Sequence, residues 1–301
     1  MDSDNWQLQV YLEQQLLQIE TALDNYLPGS STRPTRLHEA MRYSVLGGGK
    51  RIRPVLLLAA CEAVGGSMKT AMPAACAIEM LHAYSLIHDD LPAMDNDDMR
   101  RGRPTNHKVF GEATAILAGD GLLTEAFILL SRLDTMETLP ATARLEMINL
   151  LATHAGTRGM VGGQMVDMEV EGTDIDLPTL EYVHTHKTGA LIKAAVEIGA
   201  IIGGATQPQR EALKRYAAAA GLAFQIADDI LDIVAVPSEL GKHIGSDQQR
   251  GKATYPALLG LSEARRRADE LKSMAIRALD LFGDEARPLR AIACYIVDRS
   301  H

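Results

Sequence analysis

Helical periodicity runs through this 301-residue chain almost from end to end, and no stretch alternates apolar and polar residues for long enough to make a strand. Leu8, Leu12, Ile19, Leu23 and Tyr26 recur as one face of an opening helix, and Pro28-Gly29-Ser30-Ser31 closes it. The same spacing predicts helices over 36–46, 52–64, 71–91, 113–133, 141–155, 158–170, 178–203, 208–235, 253–282 and 286–298. Gly65-Gly66, Gly172 through Pro178 and Gly203-Gly204 read as the breaks between them. Apolar residues make up 47% of the chain and aromatics only 4%, so the core is built from Ala, Leu, Met and Ile, which favour helix. No linker or short repeat divides the sequence. The expected architecture is one large all-α domain over residues 1–301.

The net charge of −9 argues against a general nucleic-acid surface. An acidic protein that handles an anionic substrate must reverse the field locally, with metals or with grouped Lys and Arg. Cys61, Cys76 and Cys294 lack C-x-x-C spacing and sit among apolar residues, as buried thiols of a reducing compartment would. Met1-Asp2-Ser3-Asp4-Asn5 has no signal-peptide pattern, and no apolar run is expected to approach the length of a membrane span. A soluble, cytoplasmic protein is the expectation.

Two aspartate clusters stand out against this apolar helical background. The first is Asp89-Asp90-Leu-Pro-Ala-Met-Asp95 and the second Asp228-Asp229-Ile-Leu-Asp232. In the second, Gln225, Asp228, Asp229 and Asp232 fall at i, i+3, i+4 and i+7 and share one helix face. Two carboxylates about 6 Å apart repel by roughly 2–3 kcal/mol at an effective dielectric near 20. The apolar neighbours Phe224, Ile226, Ile230, Leu231 and Ile233 make that repulsion hard to relieve with water. A hard cation would relieve it, since oxygen-only donors suit magnesium or calcium. Asp-Asp before Pro92 also suits a plain helix end, and the second set also suits a solvated face. Two such clusters facing each other would frame a site for several metals.

Basic residues complement them. Gly47-Gly48-Gly49-Lys50-Arg51-Ile52-Arg53-Pro54 joins a glycine turn to three cations ahead of an apolar helix, and glycines allow a phosphate to approach the backbone while Lys and Arg bind its oxygens. The P-loop spacing is absent. Arg100-Arg101, Lys187, Lys242 and Lys252 add charge from elsewhere, two of them in the Gly- and Lys-bearing segment from Pro237 to Lys252. His82 lies two helical turns before Asp89 on the same face and could donate to a phosphate. His184 and His186 carry no assigned role.

From Glu79-Met-Leu-His82-Ala-Tyr84-Ser85-Leu-Ile-His88-Asp89-Asp90-Leu-Pro-Ala-Met-Asp95 through Arg100-Arg101-Gly102, Lys187-Thr188-Gly189 and Phe224-Gln225-Ile-Ala-Asp228-Asp229-Ile-Leu-Asp232 to Gly251-Lys-Ala-Thr-Tyr-Pro256, the chain resembles the trans-isoprenyl diphosphate synthases. It is most similar to the bacterial farnesyl diphosphate synthase type. The resemblance implies an antiparallel helical bundle around a deep central cavity, a homodimer, and about three Mg²⁺ ions. It implies that Asp89, Asp90, Asp95, Asp228, Asp229 and Asp232 hold the metals. Lys50, Arg53, His82 and Arg101 would hold isopentenyl diphosphate. Arg100, Lys187, Thr188, Gln225, Lys242 and Lys252 would contact a dimethylallyl or geranyl diphosphate, with Arg100 and Lys187 acting in catalysis. Tyr84, five residues and about 7.5 Å of helix before Asp89, together with Ser85, would limit product length.

Farnesyl diphosphate is the favoured product. Asn106-His107-Lys108-Val109-Phe110-Gly111-Glu112 also resembles geranylgeranyl synthases, which makes that product the alternative. The His88-Asp89 dipeptide resembles the helical HD phosphohydrolases, a reading that needs further histidine ligands and leaves the second aspartate cluster unused. A terpene cyclase would not need the diphosphate pocket of Lys50 and Arg53, and a non-catalytic partner subunit would not need both acidic motifs. The segment from Pro237 to Lys252 is expected to close as a lid.

Overall fold

The computed structural model describes residues 7–234 and 253–298. The chain runs through α1 (Leu8–Tyr26), α2 (Thr35–Val45), α3 (Ile52–Ala63), α4 (Met68–Asp89), a hairpin of β1 (Met99–Arg100) and β2 (Arg103–Pro104), α5 (Asn106–Phe110) and α6 (Glu112–Ser131). It continues through α7 (Ala141–Ala155), α8 (Met160–Val170), α9 (Leu177–Val183), a π turn (His184–Thr188), α10 (Gly189–Ile202), α11 (Gln207–Val234), α12 (Tyr255–Leu259), α13 (Leu261–Ala278) and α14 (Arg287–Asp298). The all-α expectation holds.

Two helices form the centre because they are apolar all round. In α10, twelve residues from Gly189 to Ile202 are buried, and in α3 nearly every residue from Ile52 to Ala63 is. They pack on each other, α10 also packs on α11 and α7, and α4 packs on α6. Helix α4 is buried almost all round through its middle as well, whereas α2, α11, α13 and α14 are amphipathic and turn one face to this interior.

The departures from the predicted elements have local causes. Helix α4 starts at Met68, earlier than residue 71, because Ser67 Oγ accepts from Thr70 N and caps it. Pro73 sits inside that helix and merely lacks the N–H that would reach back to the first turn. The segment 178–203 is not one helix, since five residues adopt a π turn between α9 and α10. The segment 253–282 divides at Gly260, whose φ of +81° ends α12. The hairpin was not legible as alternation because each strand has two residues. Its two-residue turn, Arg101 and Gly102, has positive φ at both positions, as a type I′ turn requires.

One expectation is corrected. Helix α6 is long and apolar enough to cross a membrane by length and composition. Its Ala- and Leu-rich run buries Ala115, Ala118, Gly119, Leu122, Ala126, Leu129 and Leu130 against neighbouring helices, so the same apolarity serves as core packing.

Candidate active site

A cavity of about 420 Å³ opens beside the C-terminal half of α4. Its polar lining is Arg53, His82, Ser85, His88, Asp89, Gln164, Lys187 and Thr188. Its apolar wall comes from Leu86, Leu91, Met94, Ile116, Met160 and Val161, with Tyr84 among them. Residues predicted from three separated stretches of sequence thus meet in one chamber, polar at one side and oily at the other.

The first aspartate cluster divides on folding. Asp89 faces the cavity and accepts from Gln164 Nε2 at 2.7 Å. Asp90, only 3% exposed, turns the other way into a fork with Arg100, whose Nε lies 2.8 and 2.9 Å from the two carboxylate oxygens. Burial raises the Asp90 pKa, against the pull of Arg100 and with a push from Asp89. Asp95 is brought back toward Asp89 by its backbone N–H, which donates to Asp89 O at 2.9 Å. Asp89 and Asp95 both act on Lys187. Burial works against the lysine's charge, but Asp89, Asp167 and Asp95 outweigh it and hold the Lys187 pKa above its ordinary value.

The second cluster divides in the same way. Asp229 is 2% exposed and accepts from His184 Nε2 at 3.0 Å, Gln225 Nε2 at 3.1 Å and Tyr255 N at 3.0 Å. It is a hub joining α11 to the π turn and to α12. Asp228, part-buried, bears electrostatically on Arg53 of the cavity wall, and Asp232 follows one turn later, half-buried. Gln225 Oε1 accepts from Thr188 Oγ1 at 2.9 Å, so the chain Thr188–Gln225–Asp229–His184 ties the π turn to the second motif.

That π turn places Lys187. Extra residues in a helix rotate everything after them and recur at functional sites. Here the turn brings Lys187 and Thr188 into the cavity, and Lys187 Nζ donates to Asp167 Oδ2 at 2.7 Å. Gly163 makes room for it, since a Cβ there would stand 2.2 Å from Lys187 N. Gln164 and Asp167, at i and i+3 on α8, were not singled out from the sequence. Their spacing beside a Gly-Gly pair was the available signal.

The cationic side is built around a buried network. Arg51 adopts the left-handed conformation, φ 49°, and is 2% exposed. It donates to Glu20 of α1 at 2.7 Å, to Glu79 of α4 at 2.6 Å and to the Val45 carbonyl that ends α2. Of the three cations in the glycine-led segment, this one is spent on structure. Lys50 before it is exposed and Arg53 after it reaches the cavity. Arg53 Nη1 lies 3.3 Å from His82 Nε2. Burial pushes the Arg53 pKa down, Arg101 adds to this, and Glu79 and Asp228 oppose it. Burial also holds the His82 pKa well below its ordinary value, helped by Arg53, Arg101, Arg100 and Arg51. Arg101, in the hairpin turn, donates to Gly48 O and lies over Gly49 so closely that a Cβ there would meet its Cζ at 2.6 Å.

The structure therefore gathers Arg53, His82, Tyr84, Ser85, Asp89, Lys187 and Thr188 at one cavity, with Gln225 bonded to Thr188. It sets Arg100, Asp90 and Asp229 in buried pairings instead. Lys242, Lys252 and the segment from Pro237 to Lys252 lie outside the described residues, as does any closure of that segment. His88 donates from Nε2 to the Ile116 carbonyl at 2.9 Å, so the nitrogen an HD-type centre would use is engaged. Among the described residues, no three His, Cys, Asp or Glu side chains come close enough to hold a metal by themselves. The oxygen donors at Asp89, Asp95 and Asp228 still fit magnesium, which keeps part of its shell for water and substrate phosphate and takes one or two carboxylates.

Comparison with known proteins gives a consistent picture. The polyprenyl synthetase family model matches residues 34–280. A farnesyl diphosphate synthase of Geobacillus stearothermophilus is 55% identical over 255 residues, 85% of each chain. A geranylgeranyl diphosphate synthase of Cyanophora paradoxa is 46% identical over 298 residues, 99% of this chain and 98% of that one. The solved apo structure of an FPP/GFPP synthase from Zymomonas mobilis superposes with a TM-score of 0.86 at 45% identity, covering 96% of this chain and 98% of the other.

Proposed function

This chain belongs to the polyprenyl synthetase family and is a prenyltransferase, and we propose that it condenses isopentenyl diphosphate with dimethylallyl or geranyl diphosphate to give farnesyl diphosphate. The observation that carries this reading is the cavity itself, with Asp89, Lys187 and Thr188 beside Arg53 and His82 and an apolar wall beyond them. We read residues 1–301 as one polyprenyl synthetase domain.

The allylic diphosphate sits between Asp89, Asp95 and Asp228, with Asp232 at the edge of the same face. Bound Mg²⁺, about three ions by family resemblance, supplies charge neutralisation on that diphosphate. Lys187 Nζ, kept protonated by Asp89 and Asp167, stabilises charge on the departing diphosphate as the allylic C–O bond ionises. Thr188 and Gln225 fix the register of that group. Arg53, His82, Lys50 and Arg101 hold the diphosphate of isopentenyl diphosphate, whose double bond then faces the allylic cation. The released diphosphate takes the proton that closes the new double bond. Leu91, Met94, Ile116 and Met160 line the chamber and exclude water, which would quench the cation.

In this reading Asp90 and Asp229 serve the metal site in part by holding their helix ends, and Arg100 serves it through Asp90. Tyr84 and Ser85, both on the cavity wall, limit the growing chain. A homodimer and a cytoplasmic location belong to the same reading. Exposed Ile116, Leu117 and Ile128 on α6 offer an apolar face to a second copy, and free Cys61, Cys76 and Cys294 suit a reducing compartment. Geranylgeranyl diphosphate is the second reading, favoured by the small Ser85 beside Tyr84 and by a cavity that reaches the exposed residues Ile116 and Val161.

The test is to supply isopentenyl diphosphate with dimethylallyl or geranyl diphosphate, with Mg²⁺ or chelator, and to identify the dephosphorylated alcohols. Magnesium-dependent farnesol supports the proposal, and geranylgeraniol keeps the chemistry but moves the product limit. Folded protein with metal and no elongation overturns it.

A further inference from the structure

A second, smaller cavity of about 50 Å³ lies on another side of α4, between that helix, α2 and the hairpin. Glu79, Ala83, Leu86, Ile87 and Asp90 line it from one helix face, whereas His82, Ser85 and Asp89 line the larger chamber from the next. Leu86 alone belongs to both linings. A water needs about 10–15 Å³ of such space, so the cavity holds roughly three to five waters, or the oxygens of one tetrahedral oxyanion.

Its charges do not cancel. Arg100, Arg101 and Arg103 line it together with Glu79 and Asp90. Both carboxylates are already engaged, Glu79 by Arg51 at 2.6 Å and Asp90 by the fork of Arg100. Arg101 donates to the Gly48 carbonyl, and Arg103 lies over the Tyr43 ring with Cζ 4.1 Å from its centroid. Neither has a carboxylate partner among the described residues. The glycine turn makes room for both guanidinium groups, since a Cβ on Gly49 would meet Arg101 Cζ at 2.6 Å and one on Gly47 would meet Arg103 Nη1 at 3.2 Å. Arg100 and Arg103 also stand opposite each other across the hairpin, where like charges repel. Arg101 and Arg103 are exposed and form the mouth.

The buried end of the cavity has the opposite need. Asn106 is 2% exposed, and its Nδ2 donates at 2.8 Å to the Ala40 carbonyl and to Ser44 Oγ. Its Oδ1 is buried with no hydrogen-bond partner. Exchanging the amide oxygen and nitrogen does not repair this, because the Ala40 carbonyl can only accept. A buried acceptor without a donor costs stability. Ser44 Oγ, which accepts from Asn106, keeps its own proton to donate.

Two arginines without carboxylates, one hydroxyl donor and one orphaned acceptor are together the complement of an anion that still carries a proton. We propose that this cavity is a binding site for hydrogenphosphate, either the free ion or the terminal phosphate group of an ester. Arg101 and Arg103 take the charged oxygens, Ser44 donates to one of them, and the P–O–H group donates to Asn106 Oδ1. Sulfate has the same shape but no proton at neutral pH, so it leaves Asn106 unmatched. The site does not depend on prenyl transfer. A chain that binds no phosphate here can still elongate, and a chain that elongates nothing can still bind, so the two readings fail separately.

The experiment titrates inorganic phosphate into the full chain by calorimetry, with sulfate and methyl phosphate in parallel. Phosphate is expected to bind at least tenfold more tightly than sulfate. Methyl phosphate as tight as phosphate assigns the site to an ester, and methyl phosphate at least tenfold weaker assigns it to the free ion; either supports the proposal. Arg103→Met, which keeps the stem over Tyr43, and Ser44→Ala should each weaken phosphate at least tenfold. Binding of magnesium diphosphate, which reports on the larger chamber, should stay within twofold in both variants. Crystals soaked in arsenate, protonated like phosphate, should show an anomalous peak between Arg101, Arg103 and Asn106. If either variant fails to fold by circular dichroism, the arsenate peak and the preference over sulfate still test the wild-type chain. No saturable binding at millimolar phosphate overturns the proposal. Equal affinity for sulfate, phosphate affinity untouched by both substitutions, or arsenate found only in the larger chamber does so as well.

Discussion

Arg53 Nη1 donates to His82 Nε2 at 3.3 Å, while the buried Nε of the same guanidinium has no hydrogen-bond partner among the described residues. A buried donor left unmatched costs stability. Here it stands at the wall of a cavity whose proposed ligand is rich in phosphate oxygens, and its neighbour His82 is held neutral by burial and by surrounding arginines.

Arg53→Lys should therefore weaken isopentenyl diphosphate specifically. Lysine keeps the charge but loses the planar fork, and a hydrogen bond to a charged group is worth about 1.5–3 kcal/mol. Steady-state kinetics should show KM for that substrate raised at least about tenfold by this loss, with KM for the allylic substrate little changed. Equal rises in both constants would sink the assignment.

His82 should make the fold acid-sensitive. Its folded pKa lies well below the ordinary 6.5, owing to burial first and then Arg53, Arg101, Arg100 and Arg51. Between those two pKa values the unfolded chain binds the proton and the folded chain does not, so stability falls as pH drops through 6.5 toward the folded pKa. Above 6.5 the histidine contributes no slope. Thermal melts from pH 8 to pH 5 should fall less steeply in His82→Gln than in the wild type, and parallel curves would refute the prediction.

Adjacent aspartates of the second motif should separate into two phenotypes. Asp229→Ala strands donors from His184, Gln225 and Tyr255, at about 1–3 kcal/mol for each unsatisfied group. Urea unfolding should therefore show a loss of roughly 2–4 kcal/mol, allowing for relaxation. Asp228→Ala should leave the midpoint nearly unchanged and abolish most turnover. A larger midpoint shift for Asp228→Ala would invert the assignment.

Lys187→Gln should lower kcat by about 10²–10³, the usual cost of removing one stabilising donor from a developing anion. Single-turnover measurements should place that loss in the chemical step. A fall confined to product release would argue for a gating role.

Periodicity made the fold legible because α1, α11 and α13 are long and their buried residues recur on one face at helical spacing. It failed where structure depends on a few backbone angles, as at the Arg101-Gly102 turn and the π turn from His184 to Thr188. The site was legible as residue types. Asp89, Lys187, Thr188, Arg53 and His82 do meet. What sequence could not show is which member of each acidic pair turns inward, because that depends on partners distant in the chain, Arg100 for Asp90 and His184 for Asp229. It was equally silent on Arg51, which shares a basic motif with the exposed Lys50 and the cavity-facing Arg53 and is buried where Glu20 and Glu79 converge on it.

The Glu20–Arg51 contact makes the opening helix a remote brace. Helix α1 contributes no residue to the cavity lining, yet its carboxylate grips the arginine that stands between Lys50 and Arg53. A shortened protein beginning after Tyr26 would keep every residue of the cavity lining and lose one of the three anchors of the left-handed bend at Arg51. Catalytic competence in this enzyme is thus distributed to a segment that a map of the active site would leave blank.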